Sequence, residues 1–188
     1  MLFDGESFTG WEGNLDLFRI EEGALVGGNL SDAIAESEYL CTVESFGDFE
    51  LRLEARPSRE DANGGIQFRS SRASNSKEVI GYQADLGFLA GDPPKNIWGS
   101  LYDNARRSRF LAEAPVEAIA MAYRPGDWNR FRILAEDRRI QVFINETRTA
   151  DYMEDDLEIP LSGVICVQIH SGAPAEIRYR QIYLKAPN

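Results

Sequence analysis

Three short stretches carry the side chains best suited to chemistry. In GGIQFR at 64–69, Ile66 and Phe68 alternate with Gln67 and Arg69, and in GYQADL at 81–86, Tyr82, Ala84 and Leu86 alternate with Gln83 and Asp85. In GVICVQIH at 163–170, Ile165, Val167 and Ile169 alternate with Cys166, Gln168 and His170. Successive side chains of a strand point to opposite faces. Each stretch therefore offers one apolar face and one face of groups that hydrogen-bond, carry charge or move protons. If the three strands are neighbours in one sheet, Gln67, Arg69, Gln83, Asp85, Gln168 and His170 form a polar floor. An imidazole titrates ordinarily at roughly 6.5 and suits a general base, although His170 fits equally well as a capped strand-end residue. Arg69 and Asp85 read also as a cross-strand ion pair of structural purpose.

The same alternation recurs along the chain. Phe49, Leu51, Leu53 and Ala55 alternate with Asp48, Glu50, Arg52 and Glu54, and similar stretches lie at 128–136, 139–145 and 177–185. Gly, Pro, Asp and Asn clusters separate them, among them the turn Arg124-Pro125-Gly126-Asp127 and a tight hairpin at 135–139. Many short strands with almost no helical periodicity predict an all-β fold, a two-sheet antiparallel β-sandwich or jelly roll, as one domain over residues 1–188. The segment 88–123 lacks clean alternation and holds Trp98, Tyr102, Arg106, Arg107 and Arg109, with a short helix expected near AEAPVEAIAMAY. Long irregular connections tend to be functional. Trp98, Tyr102 and Trp11 read as core or as platforms for sugar rings, and the arginines as a solvated patch or as a grip on oxygen atoms.

Composition excludes several classes. Net charge is -11, which disfavours nucleic acid and anionic membranes as partners. One histidine excludes a three-histidine zinc centre. No stretch reaches the roughly 20 apolar residues of a membrane-spanning helix, and the opening MLFDGESFTGW lacks the pattern of a secretory leader. Cys41 and Cys166 sit in apolar strand-like text and read as buried thiols in preference to a disulfide, which spacing leaves open. Asn145-Glu146-Thr147 matches a glycosylation sequon but reads as a hairpin turn, and the acidic run 153–158 reads as a solvated loop in preference to a calcium site. Phosphate-binding glycine loops and the nucleophile elbow G-x-S-x-G do not occur.

In order along the chain, LFDGESFTGW, EEGALVGG, GDFELRLEAR, NGGIQFRS, GYQADLG, WGSLYDNARR, PGDWNRFRI, RIQVFINE, GVICVQIHSG and IRYRQIYLK give a sequence that resembles the 3-keto-disaccharide hydrolase domain family, a former domain of unknown function. The resemblance spans nearly the whole chain. It departs at Asn145-Glu146, where Asn-Gly is usual, and in a longer connection between Leu86 and Trp98. It implies a concanavalin A-like jelly roll, a bacterial periplasmic or secreted setting, a carbohydrate substrate, and cleavage of glycosides carrying a ketone at carbon 3. Such a ketone acidifies the carbon-2 proton, so a base of near-neutral pKa can remove it and the enolate can expel the carbon-1 group.

On that reading His170 is the base, with Asp85 second in line. Arg69, or a divalent cation held by Asp85, stabilises the enolate oxygen, a contribution of roughly 3 kcal/mol per well-placed donor. Gln67, Gln83 and Gln168 meet hydroxyls, Trp98 and Tyr102 wall the ring, and Arg106 and Arg107 close the rim. An ordinary glycosidase of this fold needs two flanking carboxylates, and no E-x-D-x-x-E run is present. The alternatives from other classes are a carbohydrate-binding module without catalysis and a structural sandwich domain.

Overall fold

The computed structural model describes residues 1–74 and 76–186. Its strands, in chain order, are β1 (Trp11–Gly13), β2 (Phe18–Glu21), β3 (Ala24–Asn29), β4 (Glu38–Thr42), β5 (Phe49–Pro57), β6 (Gly64–Arg72), β7 (Val79–Leu86), β8 (Phe88–Leu89), β9 (Lys95–Asn96), β10 (Leu101–Asn104), β11 (Arg109–Ala112), β12 (Asn129–Glu136), β13 (Arg139–Ile144), β14 (Thr147–Met153), β15 (Val164–Ile169) and β16 (Ala175–Lys185). One short helix, α1 (Val116–Ala122), lies in the segment where it is expected and buries Ile119 and Ala122.

The strands form two seven-stranded antiparallel sheets, ordered β1-β4-β15-β6-β7-β10-β11 and β14-β13-β12-β5-β16-β3-β2, with β8 and β9 as a small separate ribbon. This is the all-β sandwich that the alternation implies. β5 shows why: Phe49, Leu51, Leu53 and Ala55 are all buried while Arg52 between them is exposed, so the period of two aims one face at the opposite sheet. Phe131 and Ile133 of β12 meet Ile66 and Phe68 of β6 in the same core, each fully buried side chain contributing about 1.5–3 kcal/mol. Aromatic rings knit the layers together, Phe49 edge-on to Phe68 at 6.0 Å and Phe68 stacked on Tyr82 at 5.8 Å.

Two sequence expectations change here. Cys41 and Cys166 are a disulfide, because β4 pairs with β15 in a register that sets these two residues directly opposite one another. The run at 153–158 is not simply solvated: Glu154 is buried and accepts from Arg107 Nη1 and Nη2 (2.9 and 2.7 Å) and Tyr82 Oη (2.7 Å). Burial alone raises its pKa, but the hydrogen bonds from Arg107 and Tyr82 outweigh that and bring the carboxyl down to about 2. The Asn145-Glu146 turn is as expected, with φ of 46° and 71°, the two positive angles of a type I′ hairpin.

Candidate functional site

The outer face of the first sheet carries the polar floor. In-register pairing runs Tyr39–Gln168–Gly65–Asp85 across β4, β15, β6 and β7. The adjacent row runs Cys41–Cys166–Gln67–Gln83–Tyr102 and reaches β10. Gln67, Gln83, Asp85 and Gln168 thus share one face, as alternation requires. His170 follows the end of β15, its backbone N–H held by the Asn63 carbonyl (2.9 Å). Together with the β10–β11 hairpin these strands enclose a cleft of about 600 Å³, bordered by Gln83, Asp85, Gln168 and His170 on one side and by Tyr102 and Arg109 on the other.

Asp85 is 3% exposed, and its pKa is raised by burial to about 8, with a partly offsetting hydrogen bond from Gln83 Nε2 to Oδ1 at 2.6 Å. At pH 7 it is therefore mostly a neutral acid. Its other oxygen, Oδ2, has no hydrogen-bond partner among the described residues and is not one of the sealed-off polar atoms, so it borders the cleft. Gln168 donates from Nε2 to Tyr39 Oη (2.9 Å), a phenol whose pKa burial raises to about 12, while Gln168 Oε1 has no partner among the described residues. His170 is exposed, and its Nδ1 lies 2.9 Å from the Ser171 carbonyl oxygen. Because a carbonyl only accepts, Nδ1 carries the proton of the neutral ring and Nε2 keeps its lone pair free.

Five expected residues lie elsewhere. Arg69 does not join the floor: β6 bulges between Phe68 and Ser71, Arg69 takes φ of 46°, and the following residue, Ser70, recovers the floor side. The Arg69 guanidinium is buried and donates to the Gly47 carbonyl (3.0 Å), the Asp137 carbonyl (2.6 Å) and Asp48 Oδ1 (2.6 Å), with no ion pair to Asp85. Trp98 is not a sugar platform, since it is fully buried between Tyr123 and Phe131 with centroid separations of 4.7 and 5.7 Å. Trp11 is likewise core. Arg106 and Arg107 turn away from the cleft toward the buried Asp103 and Glu154, and Arg106 lies over the Tyr82 ring at 4.6 Å.

Arg109, Phe110 and Asn104 border the cleft in their place. Tyr102 does stand on the wall, edge-on to Phe110 at 5.1 Å. The other cleft carboxylate, Glu113, is engaged by Lys95 Nζ at 2.6 Å. Among the described residues no three His, Cys, Asp or Glu side chains converge. A divalent cation usually needs six or more oxygens, or three or four such ligands, so this donor set does not fit one and the cation expected at Asp85 is set aside.

An all-β sandwich with a solvent-open cleft on one sheet, floored by amides, one buried acid and one imidazole, is the class this architecture defines. Residues 1–185 match the 3-keto-alpha-glucoside-1,2-lyase-like domain family, and the chain belongs to it. Solved structures share the fold at low identity. A candidate glycosyl hydrolase from Parabacteroides distasonis is 15% identical with a TM-score of 0.74, covering 100% of this chain and 93% of that one. The carbohydrate-binding module CBM66 from Bacillus subtilis is 10% identical with a TM-score of 0.59, covering 94% and 96%. The alginate lyase Aly36B, solved with an alginate trisaccharide, is 15% identical with a TM-score of 0.57, covering 96% and 89%. No curated protein sequence matches the chain.

Proposed function

We propose that the chain cleaves glycosides oxidised to a ketone at carbon 3, by elimination across carbons 1 and 2. His170 Nε2 takes the carbon-2 proton; the C–H electrons form the C2=C3 bond of an enolate. Collapse of the enolate restores the ketone, forms C1=C2 and breaks the C1–O bond, and the departing oxygen takes the proton of Asp85. Addition of water across C1=C2 would then complete a hydrolysis. Backbone strands in a sheet are spaced about 4.8 Å apart, so Gln168 of β15 and Asp85 of β7, with Gly65 of β6 between them, stand roughly 10 Å apart, and His170 follows two residues beyond Gln168 at the same cleft.

The observation that carries this reading is a single buried carboxyl, its pKa raised by burial to about 8, on the floor of a cleft that also holds the chain's sole imidazole. Direct glycoside hydrolysis calls for a close carboxylate pair, and the second cleft carboxylate is spent on Lys95. A ketone-driven elimination needs only one acid and one base. Family membership supports the substrate class. The disulfide is of the kind formed in oxidising compartments, which supports a periplasmic or secreted location.

The second reading is carbohydrate binding without turnover, favoured by the Tyr102–Phe110 pair on the cleft wall and by the shared fold with CBM66. Incubation with a 3-keto-glycoside and with its unoxidised parent separates the two. Release of the carbon-1 group from the keto form alone is expected, falling by about 10²–10⁴-fold in His170→Ala and in Asp85→Ala. Sugar binding with no release from either compound would reject the enzyme reading.

A further inference from the structure

We propose that Gln67 and Gln83 are positioning residues that fix the location of the Asp85 proton, holding it on Oδ2 and aimed into the cleft. The inference rests on the reading of Asp85 as the acid, and it removes the fully buried Gln67 from the set of expected substrate contacts.

The direction of the chain is set at its far end. Gln67 is a fully buried member of the floor, and its Nε2 reaches both the Val79 carbonyl oxygen (3.3 Å) and Gln83 Oε1 (3.0 Å). A carbonyl can only accept. The Gln67 amide therefore cannot turn round without setting two oxygens against each other, and its Oε1 meets the Ser70 hydroxyl at 3.0 Å instead. With Gln67 donating, Gln83 must present its oxygen to Gln67 and its NH₂ to Asp85 Oδ1, 2.6 Å away. An oxygen facing an N–H donor has no room for a hydrogen of its own along that line. The neutral carboxyl accordingly carries its hydrogen on Oδ2, the oxygen with no protein partner that borders the cleft.

Space for the arrangement comes from Gly65, which sits opposite Asp85 on β6. A Cβ there would lie 2.6 Å from Gln83 Cγ and 2.8 Å from its Nε2, so the Gln83 side chain occupies the volume that any other residue would fill. The remaining ionisable groups around Asp85 are Tyr102 from β10, Arg109 from β11, Glu113 beyond it and His170 after β15. None of these four hydrogen-bonds to the Asp85 carboxyl, and β6 contributes only Gly65 at this position, so the amide chain is its one hydrogen-bond partner among the described residues.

The test is a titration of the whole chain by infrared and ¹³C-carboxyl spectroscopy, with Asp85→Asn used to assign the signal. Gln83→Met deletes the donor to the charged form, and Gln67→Met frees the Gln83 amide to turn and offer its oxygen. Each is expected to raise the Asp85 midpoint by about one pH unit or more, a tenfold gain in proton affinity. The limb of the pH–kcat profile that reports Asp85 should move by the same amount, with KM little changed. A midpoint unaltered in a folded Gln67→Met protein overturns the proposal, as does one unaltered in Gln83→Met. The spectroscopic readout requires no turnover, so a failure to cleave 3-keto-glycosides would reject the reaction while the midpoints still judge the amide chain.

Discussion

Asp85→Asn tests the buried acid through stability and without any substrate. The carboxyl is ordinarily half-ionised near 3.8 and in the folded chain near 8, because burial penalises its charge. A raised folded-state pKa means that the native protein binds a proton which the unfolded chain has already released. The stabilising contribution of Asp85 is thus fully present below about pH 4 and is lost as the pH climbs to about 8. Across that window the linkage slope approaches about 1.4 kcal/mol per pH unit. Between pH 4 and pH 7 the wild type should lose on the order of 4 kcal/mol that the variant keeps. Asparagine preserves the shape and still offers Gln83 an oxygen to donate to, so packing differences stay constant with pH. Urea unfolding of both proteins between pH 4.5 and 8, with the disulfide intact, measures the difference. A wild-type-minus-variant difference that stays flat over the range would show that Asp85 is ionised in the native state and would refute the acid role.

The other expectations concern Arg69 and Glu154, neither of which borders the cleft. Arg69→Met should lower stability by about 3 kcal/mol, since it abandons two backbone carbonyls and Asp48, while sugar affinity measured by calorimetry stays unchanged; a selective loss of affinity would return Arg69 to the site. Glu154→Gln should cost about 3 kcal/mol at neutral pH by leaving Arg107 short of its buried partner. Because the carboxyl stays ionised down to about 2, that stabilisation is complete above about pH 4.5 and vanishes as the pH falls through 2. Acid unfolding curves of the two proteins should therefore converge toward pH 2, and parallel curves would contradict the pairing.

Alternation read the faces of β5, β7 and β15 correctly because nothing interrupts the pleat between their polar residues: Gln83 and Asp85 share a side, and so do Cys166 and Gln168. It misplaced Arg69 because one extra residue in β6 reverses every side chain that follows, and the text Arg-Ser-Ser at 69–71 holds no glycine to betray the bulge. Trp98 and the arginine pair were ambiguous for a different reason. Their partners, Phe131 for the ring and Glu154 for Arg107, lie 33 and 47 residues away and are chosen by how the two sheets stack. The disulfide was hidden in the same way, since the register that faces Cys41 with Cys166 joins strands 125 residues apart. The β10–β11 wall escaped notice because its turn places Ala105 and Ser108 at positive φ, where sequence custom calls for glycine or asparagine.

The Cys41–Cys166 bridge also bears on what happens to a damaged molecule. Both chain-terminal portions, β1 to β4 on one side and β15 to β16 on the other, are tied at that point, and the exposed connection between β8 and β9 falls within the span they enclose. A protease that nicks the exposed connection at 90–95 therefore releases no fragment. The cut halves remain one covalent molecule, each β-ladder keeps its neighbours, and the two pieces separate only when a denaturant and a reductant are added together. Such a clasp turns backbone cleavage from a loss into a survivable injury.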